Sequence, residues 1–144
     1  MKKSLVVLAC LLMLSPHAIG QEISNLKLRD IMEQGAKQLS VEELRQLLPD
    51  SKVRSVSGQG NTRFWKNNAD GKFIASTDNR YAGRGLQGQG SWHIGDNGTY
   101  CVLLEWSGKT EQWCRFIFKG ADKYYGVKSV SNQAGEVYEF EFSK

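Results

Sequence analysis

Apolar residues follow three different rhythms along this chain, and each predicts a different element. From Leu5 to Leu14 ten residues (LVVLACLLML) run without a charged break. Between residues 26 and 48 the spacing turns helical. Leu26, Leu28, Ile31 and Met32 share a face, Gly35 is a weak point, and Leu44, Leu47 and Leu48 form a stripe that Pro49 ends. Ser40-Val41-Glu42-Glu43 reads as a capping box, with Ser40 accepting from the helix start and Glu43 reaching back. From Lys52 onward the period drops to two. It predicts strands near Lys52–Ser57, Thr62–Lys66, Lys72–Ser76, Gln89–Ile94, Thr99–Trp106, Glu111–Phe118, Tyr124–Val130 and Glu136–Phe142. Gly-containing turns separate most of them, as tight hairpins require. The last strand alternates Tyr138, Phe140 and Phe142 against Glu139 and Glu141. Short connections mean neighbouring antiparallel strands. The expected fold is mainly β: an antiparallel up-and-down barrel or curled sheet of about seven to eight strands, with an N-terminal helical segment.

The apolar run near the start has a second meaning. Lys2 and Lys3 precede it, Ser15-Pro16 breaks it, and Ala18-Ile19-Gly20 places small residues where a signal peptidase reads. That is the three-part secretory pattern, with cleavage expected near Gly20-Gln21. Ten apolar residues fall short of the ~20 a membrane span needs. Val7-Leu8-Ala9-Cys10 resembles a lipobox, but cleavage before Cys10 would leave a very short apolar core. The expected organisation is residues 1–20 as signal, 21–50 as helical segment and 51–144 as β domain. The expected location is the bacterial periplasm or the secreted space.

Removing the signal changes the composition. The 144-residue chain loses 20 residues and keeps 124, enough for one domain with its own core. Loss of Lys2 and Lys3 takes 19 basic residues to 17 against 15 acidic ones, so the net charge falls from +4 to +2. Little basicity remains to suggest a nucleic-acid partner. Cys10 also leaves, so Cys101 and Cys114 remain as a pair for an oxidising compartment. Their spacing selects a hairpin register. If Ser107-Gly108 is a two-residue turn, Trp106 faces Lys109 and Cys101 meets Cys114 at a non-hydrogen-bonded pair, with Cα atoms about 4.5 Å apart. A Gly108-Lys109 turn would put Cys101 opposite Phe116 instead. The bridge would contribute on the order of 3 kcal/mol. The same register places Tyr100, Val102, Leu104, Trp106, Trp113, Arg115 and Ile117 on one face, and Phe116 and Phe118 on the other. Either a bulge intervenes or both faces are covered, and the helical segment is the obvious cover for the outer one.

Candidate chemistry is sparse. Gly83-Arg84-Gly85-Leu86-Gln87-Gly88 spells G-x-G-x-x-G, but a strand-like run follows where a dinucleotide site needs a helix. It reads instead as part of a Gly-rich loop, Asp78 to Gly88, rimming a barrel end. Asn67 to Gly71 imitates a calcium loop but would put Lys66 and Thr77 at its essential acidic positions, so a hairpin turn suffices. His93 is the sole histidine after the signal, too few for a zinc site or a catalytic triad. Glu105 and Glu111 flank one hairpin but point to opposite faces in the favoured register, which does not suit shared acid–base work. No catalytic, metal or cofactor site is assigned. The chain carries four Trp, five Tyr and six Phe. Trp92 and Trp65, with Arg84 on the loop, are the candidate ligand-binding residues.

A family pattern joins several of these segments: Phe64-Trp65-Lys66-Asn67, Asp70-Gly71-Lys72-Phe73, Gly88-Gln89-Gly90-Ser91-Trp92, Asp96-Asn97-Gly98-Thr99-Tyr100-Cys101, Trp106, Trp113-Cys114-Arg115 and Gly120-Ala121-Asp122-Lys123-Tyr124-Tyr125. Together they resemble a family of small exported Gram-negative proteins classed as a domain of unknown function. That resemblance implies no catalytic residues. Gly90-Ser91-Trp92 is also similar to the lipocalin G-x-W. Lipocalins carry it on their first strand and this chain carries it mid-way, so the likeness to calycin-type barrels is one of architecture. The functional expectation is a non-enzymatic binding module that captures a small ligand or inhibits an envelope protein, without stable membrane insertion after cleavage. The alternatives are an envelope structural or stress-related factor acting through protein contacts, and a small hydrolase.

Overall fold

A computed structural model describes residues 25–57, 60–78 and 86–144. The segment expected as a signal, residues 1–20, and the loop residue Arg84 lie outside the described residues. The helical stretch expected between residues 26 and 48 is corrected to two short helices, α1 (Leu28–Glu33) and α2 (Val41–Leu47), with a two-residue strand, β1 (Lys37–Gln38), between them. Gly35 is the reason. It takes φ +90°, and the N–H groups of Gly35 and Ala36 close back onto Met32 and Ile31. The chain then leaves α1 extended. Ser40 caps α2: its Oγ accepts from the Glu43 N–H at 3.2 Å, and the Glu43 carboxylate accepts from the Ser40 N–H at 2.7 Å.

Eight antiparallel strands follow: β2 (Lys52–Val56), β3 (Thr62–Lys66), β4 (Lys72–Thr77), β5 (Leu86–Ile94), β6 (Tyr100–Trp106), β7 (Lys109–Lys119), β8 (Tyr124–Val127) and β9 (Val137–Ser143). They run in the order β7-β6-β5-β4-β3-β2-β9-β8, and β7–β8 pairing closes the ring. This is a closed up-and-down barrel, consistent in architecture with the calycin likeness. β1 is the extra strand. It pairs Lys37 with Lys119 and Gln38 with Phe118, where β7 runs past the end of β6. Two strands differ from expectation. β5 begins at Leu86, so Leu86–Gly88 belong to the wall and not to a loop. β8 ends at Val127, three residues before the expected Val130.

The β6–β7 hairpin adopts the cysteine-selected register, with Trp106 opposite Lys109 and Cys101 opposite Cys114. The sulfurs are bonded at 2.04 Å and the Cα atoms lie 4.0 Å apart. Of the two outcomes that register allows, a bulge or cover on both faces, the structure takes the second. Inside, Val53, Trp65, Phe73, Tyr100, Val102, Leu104, Ile117 and Phe140 form the main core. Outside, Phe118, Tyr125 and Val127 pack under Leu28 and Ile31 of α1. Burying each of those aliphatic side chains stabilises the fold by about 1.5–3 kcal/mol. The Gly-rich run finds its use here. A Cβ on Gly88 would lie 2.7 Å from the Trp106 ring, and one on Gly90 would lie 2.4 Å from Phe73. These glycines let two inner aromatic rings lie flat across β5.

The barrel's two ends differ. The 67–71, 95–99 and 119–124 turns share one end, and α2 closes it. Leu44 and Leu48 are fully buried among Val53, Trp65 and Tyr100. The Leu39 N–H donates to the Ile117 carbonyl, and Lys144 Nζ donates to the carbonyls of Leu47 and Pro49. The 106–109 and 127–137 connections lie at the other end, which carries no helix across it among the described residues.

Candidate functional site

At the closed end the polar groups satisfy one another. Trp65 Nε1 donates to Asn67 Oδ1 at 3.0 Å and to Tyr100 Oη at 3.1 Å, and Tyr100 Oη donates to Asn67 Oδ1 at 2.8 Å. Asn67 Nδ2 reaches Ser51 Oγ, which in turn donates to the Leu48 carbonyl at the end of α2. Burial pushes the Tyr100 phenol well above its ordinary range, against weaker opposition from the Trp65 and Asn67 hydrogen bonds. Trp65 is a member of this network and is buried. Trp92 is half-buried at the same end, its indole N–H held 2.9 Å from the Asn68 carbonyl. The structure therefore places both candidate tryptophans at the closed end, in packing and hydrogen-bonding roles. It does not bring them together into an open site, and Arg84 lies outside the described residues.

At the other end, open in the sense that no helix crosses it among the described residues, the polar groups are charged. Arg63 on β3 reaches Glu111 on β7 through two bonds, Nη1–Oε2 at 2.5 Å and Nη2–Oε1 at 2.9 Å. These strands are not neighbours, so the pair spans the barrel interior and ties opposite walls. Both side chains are about five-sixths buried (17% and 15% exposed). Lys109 Nζ adds a contact to Glu111 at 3.0 Å. Arg115 is held differently. Its guanidinium carbon stands 4.2 Å from the Tyr138 ring centroid and 5.5 Å from that of Trp113. Its stem crosses Gly126, where a Cβ would approach Arg115 Cβ to 3.2 Å. Burial lowers its pKa, with Tyr138 and Glu136 acting in the opposite direction. Among the described residues it forms no ion pair.

On the outer wall beside this end lies a shallow groove of about 670 Å³. It runs from Ile74 on β4 across Gln87, Gln89 and Glu105 to Thr110 on β7. Ile74 is 66% exposed, and Phe64 nearby on β3 is also exposed. Here Glu105 stands in the open on the outer face, while Glu111 points inward and is bound by Arg63. The two carboxylates form no pair. His93 is exposed on the wall. The Asn67–Gly71 segment is a hairpin turn in which Asp70 Oδ1 accepts from the Lys72 N–H. Among the described residues no cluster of three or more His, Cys, Asp or Glu side chains could hold a metal, and no helix is long and apolar enough to cross a membrane.

Sequence reasoning missed Arg115, Tyr138 and the half of β7, Lys109–Arg115, that pairs with β6 alone among the described residues. The signal for Arg115 was present, because the cysteine register already placed this arginine on the inward, otherwise apolar face. The signal for the edge was hidden. Lys128-Ser129-Val130 reads as a strand, but Ser129 and Ser131 bond to each other instead, and the Gln133 and Gly135 carbonyls accept from Arg29 and Leu28 at the start of α1. The helix thereby draws the chain off the wall at Val127.

No curated protein and no solved structure matches the chain. A family model described as "Protein of unknown function (DUF995)" matches residues 8–116. That span starts before the segments that carried the resemblance and stops short of Gly120–Tyr125. It covers well over half of the chain, which therefore belongs to this family.

Proposed function

We propose that the chain is an exported, non-enzymatic binding module of the bacterial envelope whose partner is a protein, not a small ligand enclosed by the barrel. One observation carries the reading: the barrel interior is filled by its own side chains, while apolar surface stands exposed on the outer wall. An eight-stranded barrel is just wide enough either to fill its core or to hold one small ligand. Here Trp65, Phe73, Tyr100, Trp113 and Phe140 occupy that space, and α2 lies over one mouth. Outside, Ile74 lines the groove that leads to β7, and Phe64 is exposed on the neighbouring strand β3. Exposed apolar surface rimmed by polar residues is what a protein contact uses. The inhibitor and envelope-factor readings share this wall. The Cys101–Cys114 bond supports an oxidising compartment, and with it the signal-peptide reading.

A photo-reactive side chain at Ile74, introduced into the chain in living cells, tests the reading. The expected result is a cross-link to an envelope protein from a chain whose N-terminus is Gln21. Native mass spectrometry that finds a small molecule retained in stoichiometric amount, with no cross-linked protein, would overturn it.

A further inference from the structure

Strand β7 is eleven residues long and β8 is four. On β7, β8 pairs only with Phe116–Lys119, so among the described residues the other half, Lys109–Arg115, pairs with β6 alone. The register fixes which main-chain groups this leaves over. Lys109, Glu111, Trp113 and Arg115 sit at hydrogen-bonded pairs and turn their N–H and C=O groups toward β6. Thr110, Gln112 and Cys114 turn theirs the other way, into the space beyond the end of β8. Among the described residues these three N–H and three C=O groups have no main-chain partner.

Soluble proteins blunt such edges with proline, bulges or covering loops. This edge carries no proline, and its register runs unbroken from Tyr100↔Arg115 to Trp106↔Lys109. The disulfide bonds one of its three open rungs, Cys114, to β6. The edge is thus held in strand geometry in advance, which lowers the ordering cost of pairing. The outer groove ends at Thr110, on this same edge.

We infer that the Thr110–Cys114 edge accepts an extended segment of a partner protein as an added strand, and that this segment carries a carboxylate where it passes Arg115; the inference rests on the protein-binding reading above. Main-chain pairing supplies the contact, and side chains at alternate positions supply the selection. Charge identifies the occupant. Arg115 stands over Tyr138 without an ion-pair partner among the described residues, and the nearby Glu136 carboxylate accepts from Tyr138 Oη at 3.2 Å. Lys109 begins the edge, and the exposed Lys128 follows the last residue of β8. A carboxylate entering here would meet positive charge fixed on an aromatic platform.

The test uses the full exported chain, isotopically labelled, and two acetylated peptides: Thr-Val-Glu-Val-Thr-Val-Thr and its counterpart with Lys for Glu. Amide hydrogen exchange is the readout. The Glu peptide is expected to slow exchange at Thr110, Gln112 and Cys114 at least tenfold, and the Lys peptide to need at least tenfold higher concentration for the same effect. Arg115→Gln should erase that difference while leaving the slowing itself. Gln112→Pro removes an outward N–H without touching the β6 ladder and should abolish the slowing by both peptides. Should that variant not fold, a Glu peptide N-methylated at alternate amides replaces it and should leave exchange unchanged. Three results overturn the proposal: edge amides already protected in the free chain, by its own segments or by a second copy seen as a dimer in light scattering; protection appearing elsewhere; or a charge preference that survives Arg115→Gln. An Ile74 cross-link that persists in Gln112→Pro overturns the edge and leaves the protein-binding reading standing.

Discussion

The two ends of this barrel bury polar groups in opposite ways. At the closed end Trp65, Asn67, Tyr100 and Ser51 are neutral, and each donor finds an acceptor inside the network. Such a network lowers the cost of burial and fixes α2 in place. At the open end the buried groups carry charge. Arg63 and Glu111 neutralise each other, while Arg115 lies over aromatic rings, with Glu136 nearby but no ion pair among the described residues. Burying a charge without an ion-pair partner costs free energy. An end arranged only for stability would not keep one. The closed end is built to hold the fold, and the open end retains groups whose requirements the fold leaves unmet.

The largest expected effect tests the closed end. Leu44→Ala removes a fully buried side chain where α2 meets the core. It should lower unfolding free energy by about 4 kcal/mol in a urea titration, as large-to-small core changes do. A loss below about 1 kcal/mol would mean that α2 is not part of the core and that both ends are open. The open end should be more tolerant. Glu111→Gln leaves Arg63 without its carboxylate and should cost about 2 kcal/mol, less than for a fully buried pair because both partners keep some solvent contact. Its signature is partial recovery when Arg63 is also neutralised.

Much of this contrast was legible in the sequence, and the reason is local. Turn residues, strand alternation and cysteine spacing act over a few positions, so they placed eight strands, the Ser40 cap and the Cys101–Cys114 register. Cover over Phe116 and Phe118 was one of two outcomes the register allowed, a bulge being the other, because two apolar faces on one hairpin cannot both meet water. What no local pattern shows depended on distant parts of the chain. Tryptophan content pointed to Trp65 and Trp92 as binding residues, but Asn67 and Tyr100, brought in by other strands, engage the first, and the Asn68 carbonyl engages the second. The early end of β8 depended on α1, more than ninety residues upstream. The open edge of β7 follows from that capture, and no local pattern announces it.

Alkaline pH separates the ends without mutation. Burial raises the Tyr100 phenol far above its ordinary value near 10.0. Below pH ~10 the phenol is protonated in both states, so its contribution is fully present. Above that, the unfolded chain loses the proton and the folded chain keeps it. Stability should then fall by about 1.4 kcal/mol per pH unit until the folded phenol ionises. Tyr125 is raised in the same direction. Tyr100→Phe should therefore flatten the slope without abolishing it, as read from urea midpoints between pH ~9 and ~11.5. A slope unchanged by the substitution would mean that the closed-end network admits water.

The smallest effect bears most directly on the comparison. Arg115→Met keeps the length of the stem over Gly126 and removes the charge. Two terms oppose each other. The guanidinium is desolvated, which lowers its pKa and disfavours the charged form. Stacking on Tyr138 and Trp113 returns about 0.5–2 kcal/mol. With no ion pair to break among the described residues, the balance should stay within about 0.5 kcal/mol of zero, or the variant should gain stability. A loss matching that of Glu111→Gln would make Arg115 a structural cation like Arg63, and the distinction between the two ends would reduce to neutral against charged packing. A neutral or stabilising result, by contrast, leaves the charge without a structural reason to be there, as expected of a group held for a partner.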